Sequence, residues 1–528
     1  MMRTINKYRI AIYLLVVILG LVSCNMPLSP QTPATATAYA ARQTLSASIF
    51  KTPMPTSQAN ATPTSPGNPA PETSPTPVSL ENVTPTPPVN LPPNVFPYFS
   101  QSGDTLKAVS AHFGITSDQI TAPSGIAESD LLPVGTLLGI PGFDESAYKY
   151  SVLALPDSEV VYGPNAVAFD LIDYATKAGG YINQYSELLD GKVYSGAEII
   201  QMVAEETSTN PRLLLAFVEF RSNWVLGSPD GAEKDVYPIG FNAANDKGLY
   251  KELMITARFL AEGYYGWRYG TLSELSFIDS GKVKIYPPLN AGTVAIQKLF
   301  SAIYYEKYWQ DAVYGDAGFL KFYEGLFGDP WARAVAVEPL LNAGDSQPVL
   351  ALPFLPGLRW AFTAGPHATW QIGTPRGALD FAPVTGEPAC AVSSAWVTAS
   401  APGLVARSYR GTLALDLDGD GNEGTGWVLV YMHVAESGRV QKGEFLEQDD
   451  LIGHPSCERG NATGTHVHFT RKFNGEWLAT DGYLPMILDG WQAFAGDGPY
   501  SGTLVRGYQT VVSNVNGMSG SSIFRDDN

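Results

Sequence analysis

The sequence is short of positive charge, of cysteine and of histidine, and each shortage narrows what the chain can do. Thirty-three lysines and arginines stand against 51 aspartates and glutamates, a formal net charge of −18 at pH 7 over 528 residues. That balance offers no basic face to a nucleic acid. Three cysteines allow at most one internal disulfide. The N-terminal apolar run, Ile10–Gly20, is too short to span a bilayer comfortably. Histidine is scarce too, yet five of the six fall within Gly365–Thr470.

Four of these are His367 in Gly-Pro-His-Ala, His433 in Tyr-Met-His-Val, and His466 and His468 in Gly-Thr-His-Val-His-Phe, with Asp380 between the first two. A hydrolytic zinc ion needs a few nitrogen or oxygen ligands, an open position for water, and groups nearby that move protons. This set can supply all three. Thr465–Lys472 reads as a strand, in which residues two apart share a face, so His466 and His468 would present both imidazoles to one cleft. Aromatic residues make up 11% of the chain, which suits sugar or peptide surfaces and large cores alike.

Arg3, Lys7 and Arg9 precede the apolar run, and Leu21-Val22-Ser23-Cys24 follows it and resembles a bacterial lipobox. The resemblance implies a signal peptide over residues 1–23, cleavage before Cys24, lipidation of that cysteine and an extracytoplasmic, membrane-anchored protein. Cys390 and Cys457 then remain, and in an exported chain they are expected to pair. Residues 24–97 are low-complexity sequence rich in Pro, Thr, Ser and Ala, as in Thr84-Pro85-Thr86-Pro87-Pro88. Such a composition buries too little apolar surface to fold and is expected to act as a tether.

Residues 98–142 read as a strand, a helix capped by Asp104 or Thr105, a second helix after Thr116, and a closing strand. With Gly103-Asp104-Thr105-Leu106 and Pro133-Val134-Gly135-Thr136, this unit resembles a LysM domain. The resemblance implies a βααβ fold that binds N-acetylglucosamine-containing glycans such as peptidoglycan. Residues 150–341 carry apolar residues at helical spacing over Ser195–Thr207, Pro211–Trp224, Lys247–Tyr264, Thr293–Tyr308 and Gly318–Leu326. Asn210–Trp224 resembles the active-site helix of lysozyme-like lytic transglycosylases, but Arg221 occupies the position of the glutamic acid directly before Ser222. Arginine does not donate a proton at neutral pH, and Glu219 lies roughly 200° round the helix from that position. The middle domain is therefore expected to be mostly α, lysozyme-like and without glycosidase activity.

Residues 348–528 switch to strands with Gly-rich turns, an all-β antiparallel domain. Val392–Thr398, Leu404–Tyr409, Thr412–Leu417, Trp427–His433 and Thr465–Lys472 are its candidate strands. Leu379-Asp380-Phe381-Ala382-Pro383, Tyr431-Met432-His433 and Gly464-Thr465-His466-Val467-His468-Phe469 together resemble the LytM/lysostaphin/β-lytic zinc endopeptidases, over roughly a quarter of the chain. The resemblance implies that Asp380 and His468 bind Zn2+ and that His433 and His466 are catalytic, without saying which takes the proton. Lysostaphin-like members place the first ligand four residues before the aspartate, where this chain has Arg376. The β-lytic branch places it thirteen before, where this chain has His367. His367 is taken as the ligand. Asp416, Asp418, Asp420 and Asn422 resemble the first half of a calcium loop, but Trp427 stands where its bidentate glutamate is needed, and an acidic hairpin tip is the plainer reading.

The expectation is thus a multidomain, membrane-anchored, wall-binding zinc metalloendopeptidase that hydrolyses peptide cross-links of peptidoglycan. The alternative is a non-catalytic wall-binding protein, or an activator of another wall hydrolase, built on the same fold.

Overall fold

The computed structural model describes residues 91–526. Cys24, the signal segment and the tether up to residue 90 lie outside the described residues. The first strand, β1 (Val95–Phe99), takes in three residues that the sequence assigned to the tether. It pairs antiparallel with β2 (Leu137–Pro141), with Tyr98 opposite Leu138. Between them α1 (Leu106–Phe113) starts on Thr105, whose side chain accepts from the Ala108 N–H, and stops on Gly114 at φ 67°. The expected second helix is only a 3₁₀ turn, Ser117–Gln119. Thr121 bridges to Gly139 and Pro123 follows, so the chain is drawn back to the sheet before a helix can propagate. This unit is docked rather than free: the His112 ring lies 3.7 Å above Trp267 at 4° from parallel, and its Nε2–H donates to the Trp267 carbonyl at 2.8 Å. Burial pushes His112 down to about 4, which keeps the ring neutral in that contact.

The middle region is mostly helical, with α2 (Leu171–Ala178), α3 (Gly196–Thr207), α4 (Pro211–Ser222), α5 (Leu249–Arg268), α6 (Ala291–Ser301), α7 (Glu306–Tyr314), α8 (Phe319–Phe327) and α9 (Pro330–Ala334). Two small hairpins interrupt it, β3 (Ser186–Leu189) with β4 (Lys192–Ser195), and β5 (Glu274–Ser276) with β6 (Lys282–Lys284). The single helix expected over Thr293–Tyr308 is two, α6 and α7, because the chain turns at residues 302–305. That turn brings the Tyr304 hydroxyl to Arg221 Nη1 at 2.8 Å. Arg221 also donates from Nε to the Ile239 carbonyl at 2.8 Å, while Glu219 accepts the N–H groups of Val225 and Leu226 at 2.7 and 3.1 Å. Both side chains are buried and serve the backbone.

The C-terminal domain is antiparallel β, as expected. Its main sheet contains β7 (Arg359–Ala368), β8 (Arg376–Pro383), β10 (Gly403–Tyr409), β11 (Thr412–Asp416), β12 (Trp427–Met432), β13 (Phe445–Leu446), β15 (Val467–Phe473), β16 (Glu476–Trp477) and β21 (Ser522–Phe524). Their order is β13-β10-β11-β12-β15-β8-β7-β21, with β16 on β15. Of Val392–Thr398 only β9 (Val397–Thr398) is strand, paired with β14 (Leu451–Gly453). A second, four-stranded sheet, β17 (Ile487–Leu488), β18 (Trp491–Ala495), β19 (Gly502–Arg506) and β20 (Gln509–Val512), was not read from the sequence.

Strand alternation sorts the side chains of the main sheet onto two faces. Leu379, Phe381, Leu429, Tyr431, Val467 and Phe469 close the domain's own core. Ala414, Val428, Val430 and Met432 point the other way and join the core of the helical region, with Trp477. Asp380 and His468 lie at one end of this second, covered face. Buried charges at the seam are paired, as desolvation requires: Arg268 with Asp157 and Glu476 at 3.1 and 2.6 Å, and Arg459 with Glu206 at 2.5 Å.

Candidate metal centre

Three adjacent strands deliver the metal ligands. His468 on β15 lies directly opposite Asp380 on β8. On β7 the register slips by one residue, with Ala364 opposite Asp380 but His367 opposite Ala378. This bulge at Gly365-Pro366 rotates His367 onto the face of Asp380. Glycine is required there, because a Cβ on Gly365 would sit 2.5 Å from the Gly502 nitrogen. The β-lytic spacing of thirteen residues is therefore the length of a β-hairpin plus its loop.

The donor atoms converge. His367 Nε2 and His468 Nδ1 are 3.0 Å apart, and each lies near Asp380 Oδ1, at 3.3 and 3.2 Å. The remote ring nitrogens face backbone carbonyls, His367 Nδ1 on Gly365 and His468 Nε2 on Thr369, both at 2.9 Å. Those contacts place the N–H on the far side of each neutral ring and turn both lone pairs inward. Two lone pairs and a buried carboxylate oxygen without a hydrogen-bond partner then share one small space. Electrostatics point the same way. Burial opposes any charge on His367, yet Asp380 and the Gly365 carbonyl raise its pKa, while burial is likewise outweighed at Asp380, whose pKa falls well below the ordinary carboxylate value. The site demands positive charge, and a nitrogen, nitrogen, oxygen set with one side open fits Zn2+. Arg376 takes no part in it. Its guanidinium donates to the carbonyls of Pro366, Gly496 and Gly498, tying β7 to the loop between β18 and β19.

His433 and His466 stand beside this triad. Trp427–His433 was expected to be strand throughout, but β12 ends at Met432 and His433 adopts φ 62°, which swings its ring into the site. His433 Nδ1 meets the Glu458 carbonyl at 3.0 Å, and Ser456 donates to the His433 carbonyl through its N–H and its hydroxyl. Between those two holding residues lies Cys457, disulfide-bonded to Cys390 as the sequence led us to expect. His466 falls just before β15 rather than within it, bridged to Ser456. Its Nδ1 meets the Gly464 carbonyl at 2.7 Å and its Nε2 faces Asp380 Oδ2 at 3.5 Å. The His433 and His466 rings are 4.5 Å apart.

Sequence reading missed Tyr500, whose ring stacks on His367 at 4.7 Å and is 57% exposed, so it is open to whatever enters. A partner 133 positions away leaves no local signal, although Gly498-Pro499-Tyr500-Ser501-Gly502 does read as a turn. His454 and His112 are structural, His454 through the Ala395 carbonyl at 2.8 Å. Asp416, Asp418 and Asp420 bring carboxylate oxygens within 4.8 Å of one another in the β11–β12 connection. Asn422 turns its amide toward the Asp420 carbonyl, and Glu423 is committed to Arg407 and Lys472.

Residues 374–479 match the Peptidase family M23, residues 153–340 the LasA N-terminal domain, and residues 101–141 the LysM domain. The middle region, likened in sequence to lysozyme-like transglycosylases, thus matches a different helical domain. Protease LasA of Pseudomonas aeruginosa (strain UCBPP-PA14) is 26% identical over 369 residues, covering 65% of this chain and 81% of LasA. Among solved structures, the deep-sea M23 metalloprotease pseudoalterin aligns at 20% identity and TM-score 0.27, over 32% of this chain and 96% of that one. The catalytic domain of lysostaphin from Staphylococcus simulans aligns at 21% identity and TM-score 0.16, over 23% and 89%. The assignment rests on the family match and the donor geometry, not on these two overlays. The C-terminal β domain is an M23 zinc metalloendopeptidase, with His367, Asp380 and His468 as its zinc site.

Proposed function

We propose that the chain is an extracytoplasmic, lipid-anchored zinc endopeptidase that binds the bacterial wall and hydrolyses peptide cross-links of peptidoglycan. The observation that carries this reading is the convergence of His367, Asp380 and His468, with His433 and His466 beside them, in a chain that also holds a LysM unit. When bound, zinc would lower the pKa of water toward 7 and polarise the scissile carbonyl. The chain's own residues do the rest. Burial, then His466 and His468, push His433 down to about 4, so it is a neutral acceptor at neutral pH. With Nδ1–H engaged by Glu458, its Nε2 is left to move a proton. His466, held the same way by Gly464, offers a second Nε2, and together the two imidazoles can take the water's proton and face the oxyanion of the tetrahedral state. A non-catalytic wall-binding or activating role would need none of the five side chains, and all five are present and aligned.

Incubating the zinc-loaded protein with purified sacculi tests the reading. Mass spectrometry of the muropeptides should show cross-linked dimers giving way to products with new peptide amino termini. Unchanged dimers would count against it. The same samples check the middle region. Its lysozyme-like aspect rests on Asn210–Trp224, where Arg221 and Glu219 are both buried in backbone contacts, so a His468→Ala protein should release no anhydromuropeptides. The anchor is tested separately: native protein should partition into detergent, and Cys24→Ala protein should stay in the aqueous phase. An unmodified Cys24 in mature native protein would remove lipidation from the proposal.

A further inference from the structure

Glu206 sits in the last turn of α3 with 1% of its surface exposed. A carboxylate there opposes the helix dipole and gives up its water, so α3 itself gains nothing from it. Its oxygens face the peptidase domain. One accepts Arg459 Nη2 at 2.5 Å and the Tyr250 hydroxyl at 2.8 Å, and the other stands 3.5 Å from Arg410 Nη1. Tyr250, in the first turn of α5, also lays its ring against both guanidinium groups, 4.8 Å from Arg410 and 5.6 Å from Arg459. Asp190, in the β3–β4 turn, takes Arg410 Nε at 2.6 Å. Two cations of the peptidase domain are thus paired with two carboxylates of the helical region. Burial works against the charge on Arg459, and the Glu206 carboxylate outweighs it and raises the pKa.

Those two cations belong to the loops that fix His433. Arg459 follows Glu458, whose carbonyl meets His433 Nδ1 at 3.0 Å. It holds a left-handed φ of 65°, a conformation that persists only where partners enforce it. Arg410 precedes Gly411, whose carbonyl accepts at 3.1 Å the N–H of Val434, the residue after His433. The two loops also touch each other, since a Cβ on Gly411 would stand 2.9 Å from the Glu458 carbonyl oxygen and from Arg459 Cβ. Gly460 packs on the ring itself, where a Cβ would lie 3.3 Å from His433 Cε1. A line of contacts therefore runs from the Glu206 carboxylate through Arg459 to the carbonyl that fixes the His433 tautomer and aims its Nε2. We propose that Glu206 is a positioning residue for hydrolysis, supplied by the helical region, that clamps the loops at residues 410–411 and 457–460 around His433. The inference rests on the reading of His433 as one of the imidazoles that move the water's proton.

Glu206→Ala in the full zinc-loaded chain should lower kcat on a cross-link peptide about 10–100-fold, the cost of a catalytic group displaced by about an ångström. KM and zinc content should stay at their wild-type values, because Glu206 touches neither substrate nor metal. Glu206→Gln keeps an oxygen for the Arg459 N–H and should restore most of the lost turnover. Arg459→Ala removes the other end of the pair, nearer the surface, and should reproduce the loss even where a Glu206→Ala protein does not fold. The decisive comparison adds Glu206→Ala, or Arg459→Ala, to His433→Ala: a residue that acts through that ring should cost the double variant nothing further. An equal drop with and without His433, a lower melting temperature with kcat unchanged, or loss of zinc would overturn the proposal. His433→Ala protein at full kcat would remove the catalytic reading of His433 and the clamp with it. A slow His433→Ala protein beside Glu206→Ala and Arg459→Ala proteins at full kcat would remove the clamp alone.

Discussion

His367→Ala protein should lose its zinc and its peptidase activity together, whereas Arg376→Ala protein should keep its zinc. Both residues precede Asp380 at spacings that zinc endopeptidases use, but only His367 brings a lone pair to the metal, 3.3 Å from Asp380 Oδ1 and 3.0 Å from His468 Nδ1. Removing it leaves one imidazole and one carboxylate, too few to hold a catalytic zinc against dilution. The guanidinium of Arg376 is spent on three backbone carbonyls, so its loss loosens a loop but takes no donor from the metal. Atomic emission on the purified proteins, beside hydrolysis of a cross-link peptide, reads both outcomes. Full zinc occupancy in His367→Ala protein would refute the β-lytic ligand set.

Replacing His433 or His466 should separate binding from chemistry. Neither is within the donor triangle, so His433→Ala and His466→Ala should retain stoichiometric zinc. Each should lose about 10²–10⁴-fold in kcat, the range for a positioned acid–base group. The two losses need not multiply, because rings 4.5 Å apart act on the same proton and oxygen. A double variant no slower than the poorer single one would show that they act as a unit. Loss of metal from either single variant would instead mean that the imidazole serves as a ligand.

The metal triad was legible in the sequence because its chemistry is rare in this composition: few histidines, mostly gathered in one segment, with an aspartate at a recognised spacing. What the sequence could not show was how His367 arrives there. A one-residue bulge decides which face a strand residue occupies, and its only trace is Gly365-Pro366, which reads equally well as a turn. His433 was placed at the end of its strand correctly but given strand geometry, since the left-handed turn depends on Ser456 and Glu458, more than twenty residues on. The helix lost after Thr116 and the split at residues 302–305 were decided by tertiary partners, Gly139 and Arg221, that local pattern does not include. The four-stranded sheet at Ile487–Val512 was missed because its strands are short and only partly alternating.

The covered face of the main sheet has a consequence for how the protein comes apart. Val428, Val430, Met432 and Trp477 belong to the helical region's core as much as to their own sheet, and Glu476 is neutralised by Arg268 from across the seam. Separating the two bodies would wet that apolar strip and strand a buried carboxylate, so neither is a self-sufficient folding unit. Calorimetry should therefore register one cooperative endotherm for the helical and peptidase regions, not two, and Arg268→Ala should lower that single peak as a whole.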